Sequence, residues 1–135
     1  MKNILSLFIL SFVLLFFNCK KKKVDPHVPP DVVFKTGGKY ISGDVTKAKK
    51  DTLTVGITAT KTEDNLKSYN VSYAYDGAST TTTFFNYLML ESEYEGYSKD
   101  VQIITRNQAG SERWVFSIVD RDGNITQKTI NITVQ

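Results

Sequence analysis

Two of the side chains on which enzymes most depend occur once each in this 135-residue chain: a single cysteine, Cys19, and a single histidine, His27. His27 lies between Pro26 and Pro29, outside any stretch with the apolar periodicity needed to build a cleft around it. A Ser-His-Asp triad, a cysteine–histidine pair or a His/Cys zinc site therefore cannot be assembled within the body of the chain. Carboxylates remain. Glu91, Glu93 and Glu95 alternate through ESEYEGY. In an extended segment alternate residues share a face, so the three could converge on a hard cation such as Ca²⁺. They match no twelve-residue calcium loop, and a solvated loop accounts for them without a metal. Two carboxylates also suffice for glycoside hydrolysis, which keeps a carboxylate-dependent hydrolase as a rival class. The same segment holds Tyr94 and Tyr97, flanked by charges and a glycine. They read as an exposed aromatic pair able to stack on a sugar ring.

Cys19 has no second thiol to pair with, so its chemistry is one that cysteine performs alone. It ends an apolar run from Ile4 to Phe17 that follows Lys2, and Asn18 and the block Lys20 to Lys23 flank it. A run of about fourteen residues is shorter than the ~20 a spanning helix needs and has the layout of a secretory signal. These residues resemble the lipobox of bacterial lipoproteins, in which the signal is cut before a cysteine that is then acylated. Phe16, Phe17 and Asn18 depart from the usual box, which has leucine three residues before the cysteine and small residues beside it. The looser box followed by lysines is similar to those of Bacteroidota lipoproteins. The resemblance implies a signal peptide over 1–18, a lipidated (palmitate-bearing) Cys19, and a cell-envelope address, on the outer membrane. Lysines stand where surface-exported relatives of this type have acidic residues, which favours a periplasm-facing protein. Asp51-Thr52-Leu53 resembles the Asp-Ser/Thr-apolar O-glycosylation pattern of the same envelope proteins, which marks Thr52.

Residues 19–30 read as a tether. Pro26, Pro29 and Pro30 are the only prolines in the chain, and they favour an extended spacer rising ~3 Å per residue. Four lysines beside an acylated cysteine would lie at anionic headgroups, each adding on the order of 1 kcal/mol of attraction. The formal charge of +3 belongs to this leader. From residue 31 to 135 there are nine Lys and three Arg against thirteen Asp and Glu, a net charge of −1. A basic patch for nucleic acid is not supported, and no cofactor is implied.

The elements that must position any site come from residues 31–135, long enough for one domain with a real core. The dominant period is two: Leu53, Val55, Ile57 and Ala59; Tyr69, Val71, Tyr73 and Tyr75; Val101 and Ile103; Trp114, Phe116 and Ile118; Ile130, Ile132 and Val134. Turn signals separate these runs, the sharpest being Asp122-Gly123 within DRDGN. The expected strands are 32–35, 52–60, 66–75, 79–90, 100–107, 112–120 and 125–134, with 86–95 open between strand and helical turn. Seven short strands with one apolar face each imply an antiparallel Greek-key β-sandwich. The stretch from Gly110 to Val134 resembles the last two strands of bacterial Ig-like domains, where an aromatic-led strand ends in an Asp-x-Asp-Gly-Asn turn. That resemblance implies an Ig-like sandwich with Trp114, Phe116 and Ile118 pointing inward. The resulting expectation is a lipid-anchored, non-enzymatic envelope lipoprotein whose Ig-like domain binds an envelope protein or glycan or serves a structural role. A glycan-binding accessory and the hydrolase are its rivals.

Overall fold

Alternation is realised as eight strands in the computed structural model, which describes residues 26–135; Cys19, the apolar leader and the lysine block lie outside the described residues. The strands are β1 (Asp31–Phe34), β2 (Val45–Lys47), β3 (Thr52–Thr60), β4 (Leu66–Tyr75), β5 (Thr82–Leu88), β6 (Gly96–Ile104), β7 (Gly110–Asp120) and β8 (Ile125–Val134). One sheet has the order β1-β3-β6 and the other β2-β8-β7-β4-β5. With its first segment divided between the two sheets, this is the immunoglobulin-type Greek-key order. β3, β4 and β8 have the expected bounds. β2 is an addition: three residues are too few to show a period, and it departs from the antiparallel expectation by running parallel to β8. β6 begins four residues early because Gly96 continues the ladder opposite Thr60 instead of breaking it. The undecided segment is strand up to Leu88, followed by a single 3-10 turn, Glu91–Glu93.

The core lies between the sheets. Val55, Ile57 and Ala59 of β3 face Tyr69 and Val71 of β4, Phe116 and Ile118 of β7, and Ile130 and Ile132 of β8 in one buried cluster. Phe34 of β1 meets Phe116 edge-on, with ring centroids 5.4 Å apart, an arrangement favoured by the ring quadrupoles. Trp114, Phe116 and Ile118 all point inward, Trp114 being 2% exposed. With one cysteine in the chain no internal disulfide crosses the sheets, so burial carries the stability.

The ends of the sandwich differ. At one end, the Thr62 hydroxyl donates to the carbonyls of Val28 and Pro29 at 2.9 Å, and the Thr126 hydroxyl donates to that of Pro30. These bonds pin residues 28–30 onto the β3–β4 turn and onto the start of β8, beside the β7–β8 turn. In that turn, Asp120 caps its own hairpin by accepting from the Asn124 backbone N–H at 2.8 Å and its side-chain amide at 3.0 Å. Gly123 alone takes a positive φ there, +94°; Asp122 does not. The opposite end carries the β4–β5 turn, the β6–β7 loop and Gln135.

Candidate functional site

Toward the end opposite the tether, the inward face of the wider sheet is incompletely covered. Tyr73 and Tyr75 of β4 stand opposite Trp114 and Glu112 of β7. Tyr73 lies 5.1 Å from Trp114 and 4.9 Å from Tyr75, centroid to centroid. Phe84 completes the group through a β-bulge: Val71 pairs with Phe85 and Ser72 with Thr83, so Phe84 has no partner in the ladder. A bulge re-aims side chains, and this one turns Phe84 onto Trp114, perpendicular to it at 5.2 Å. The result is a cleft of about 220 Å³ lined by Tyr73, Tyr75, Phe84, Trp114, Gln102 and Ile104. Trp114 is its closed floor. Phe84 at 48% and Tyr75 at 36% exposure form the walls, and Gln102 and Ile104 of β6 form the far rim.

A polar brace holds the aromatic wall. Arg106 stacks over the Tyr75 ring at 4.8 Å and donates to both oxygens of Asp76, from Nη1 at 2.6 Å and from Nη2 at 2.5 Å. The bidentate fork fixes the guanidinium as a single long side-chain contact would not. The Asp76 carboxyl is held below its ordinary range chiefly by this hydrogen bonding from Arg106, with the Ser111 N–H adding to it. The Arg106 guanidinium is raised correspondingly, first by Asp76. Burial pushes the Tyr75 hydroxyl up, and the Glu112 carboxyl adds to that. Glu112 has no exposure; its two oxygens accept from the Arg106 backbone N–H at 2.8 Å and the Trp114 indole N–H at 2.9 Å. Gly110, at φ +144°, leaves room for this brace, since a Cβ there would collide with the Arg106 guanidinium.

The cleft's polar atoms are otherwise uncommitted. Among the described residues no hydrogen bond engages the hydroxyls of Tyr73 and Tyr75 or the amide of Gln102. No charged side chain lines the cavity. What the arrangement can do is grip a flat, uncharged group with hydrogen-bonding edges.

The residues singled out by spacing lie elsewhere. Tyr97 is corrected from an exposed position to a buried one, 8% exposed. It belongs to β6, pairs with Ala59, and packs against Tyr69 and Tyr87 at 5.7 and 5.5 Å. Tyr94 is half-buried beneath the Arg121 guanidinium, 4.1 Å from its ring centroid. It lines a second hollow of about 410 Å³ with Lys67, Leu88, Met89 and Arg121. The two tyrosines are thus not a common platform. The glutamates do not share a face either, because the segment turns at residues 91–93 instead of extending. Glu93 accepts from the Tyr87 hydroxyl and the Leu90 N–H, both at 2.9 Å, and Glu95 pairs with Lys61 at 2.6 Å. Among the described residues no three His, Cys, Asp or Glu side chains are grouped to hold a metal. Thr52 opens β3 with its side chain exposed. Phe84 is one of many aromatics in the sequence and alternation does not single it out, because a bulge shifts the period by one, although the pair Phe84-Phe85 is itself a break in strict alternation.

No family model matches the chain, and no characterised protein matches it in sequence. Among solved structures it is similar to a chain of the complex of a CaDoc0917 variant with CaCohA2, at 15% identity over 69% of this chain and 96% of that one, TM-score 0.40. It is also similar to murine CRIg, at 12% identity over 78% and 98%, TM-score 0.39. A third is the structural-genomics target SoR45, at 13% identity over 83% and 90%, TM-score 0.35. The strand order and the packed faces define what is established: an all-β sandwich of three and five strands in Ig-like order.

Proposed function

We propose that this chain is a bacterial envelope lipoprotein, held to the outer membrane by acyl chains on Cys19, that presents one non-catalytic Ig-like sandwich as a binding module. The observation that carries the binding role is the cleft of Tyr73, Tyr75, Phe84 and Trp114. Burying an aromatic wall would be the default in a domain of this size, yet here a bulge and an ion-paired brace hold it partly open. Exposed aromatic surface that is rimmed by polar groups marks a contact site. The anchor reading rests on the leader sequence and on the pinned proline segment that follows it. The partner is an envelope protein or glycan, and the domain's net charge of −1 disfavours nucleic acid.

Two experiments test the two halves. Cells given an alkyne fatty acid should label the wild-type protein and not Cys19→Ala, which should accumulate as the longer precursor; equal labelling of both would remove the anchor. For the cleft, a photo-reactive benzoylphenylalanine placed at position 84 should form adducts in living cells, whereas the same residue at Val33, exposed on β1, should not. Equal yields at both positions, or none at 84, would remove the cleft as the binding surface.

A further inference from the structure

We infer that the aromatic cleft takes one ring of an uncharged glycan. This rests on the reading of the cleft as the binding surface and adds the chemical class of its ligand. Three features of the cavity select that class. Its wall and floor are aromatic, and an aromatic face attracts the weakly polarised C–H groups that line one side of a pyranose. Its rim carries two phenol hydroxyls and one primary amide with no partner among the described residues. These supply donors and acceptors at the edges of the cavity, where a sugar's hydroxyls project and where an aliphatic or aromatic side chain of a peptide offers nothing in return. Finally, no charged group lines it, so neither a phosphate nor a uronate would find a counter-ion; Arg106, which stacks on Tyr75, is already committed to Asp76. At about 220 Å³ the cavity falls below the ~300–1,000 Å³ of sites that enclose whole small molecules. It suits a single ring of a chain whose neighbours lie outside it, over Ile104 on one side and the Thr82–Thr83 edge on the other. Phe84 supplies the stacking face, Tyr75 the second wall, and Gln102 the hydrogen bonds from across the gap. Asp76 and Arg106 are positioning residues that hold Tyr75.

The test uses the full-length protein purified in a detergent without a sugar headgroup. It is titrated with hexasaccharides of β-1,4-linked glucose, xylose, mannose and N-acetylglucosamine, and with hexagalacturonate as the charged counterpart. Trp114 is the only tryptophan and forms the cleft floor, so its fluorescence reports occupancy directly. At least one neutral hexasaccharide should shift that emission, and Phe84→Ala should weaken it about ten-fold. Gln102→Ala should weaken it by a smaller factor, while Lys67→Ala, in the second hollow, should leave it unchanged. Thermal melts matching wild type establish that Phe84→Ala is folded. Failure of every neutral sugar to bind, preference for hexagalacturonate, or binding indifferent to Phe84→Ala would each overturn the inference. If sugars fail while the photo-reactive residue at position 84 still forms adducts, the ligand class is wrong and the binding surface stands. If both fail, the surface itself is wrong.

Discussion

A carboxylate shut away from water needs a donor at each oxygen, and Glu112 has them: a backbone N–H on one and the Trp114 indole on the other. Glutamine has the same shape but offers one acceptor and one donor, so Glu112→Gln sets an amide N–H against an N–H already in place. We expect a loss of ~1–3 kcal/mol, the usual cost of an unmatched buried polar group, read by urea melts of the purified protein. Trp114→Ala should cost more, ~3–5 kcal/mol, because it opens a cavity and strips Glu112 of one partner at once. That is a large part of the ~5–15 kcal/mol that holds a domain together. A melt indistinguishable from wild type would contradict the packing described. Tyr69 runs the other way. Its ring is buried, but its hydroxyl finds no partner among the described residues, and burial drives its pKa upward. Removing that oxygen in Tyr69→Phe should leave stability unchanged or raise it by up to ~1 kcal/mol. The inward direction of Trp114 was legible from alternation; the burial of Glu112 was not, because a glutamate in an apolar register reads as an exposed strand end until its donors are known.

At the scale of elements, the long strands were the readable ones. β3, β4 and β8 show several turns of the two-residue period, and their ends coincide with the pattern's ends. β2 is held by pairing with β8, information that lies 87 residues away. The bulge opposite Val71 and Ser72 is equally non-local, since it is a mismatch between two strands and belongs to neither alone. For that reason the fold class could be reached by spacing while the cleft could not. The outer face of the smaller sheet carries a different device. Gly56, in mid-strand, leaves the space across which Lys35 and Tyr40 reach Asp100, at 2.7 and 3.0 Å. Hydrogen bonding from Lys35, aided by Lys39 and Tyr40, lowers the Asp100 carboxyl to about 2. An unfolded aspartate titrates near ~3.9, so this group favours the native state above that pH, and its contribution disappears as pH falls toward about 2. Melting temperature should therefore drop across that window, and more gently in Asp100→Asn than in wild type. Identical acid profiles would show that the cluster does not persist in solution.

On the scale of the whole molecule, the two ends have separate work. Residues 28–30 are fastened at one end, while Tyr75, Arg106 and Asp76 brace the cleft toward the other. If the N-terminal segment carries the proposed anchor, the aromatic cleft is held away from the anchoring surface. If it faces the periplasm, as the lysines after Cys19 suggest, proteinase K added to intact cells should spare it and should digest it once the outer membrane is breached; loss from intact cells would place it outside. The parallel pairing of β2 with β8 gives this arrangement a mechanical side. The chain is held at one end of the sandwich, and its last strand finishes at the other. The ladder is prolonged there by Gln135 donating to the Lys47 carbonyl at 3.0 Å. Tension between those ends acts along the strands and strains the β2–β8 bonds together, in shear, whereas a hairpin pulled from its open end surrenders its bonds one after another. The shortest strand in the fold is therefore placed to act as a latch under load.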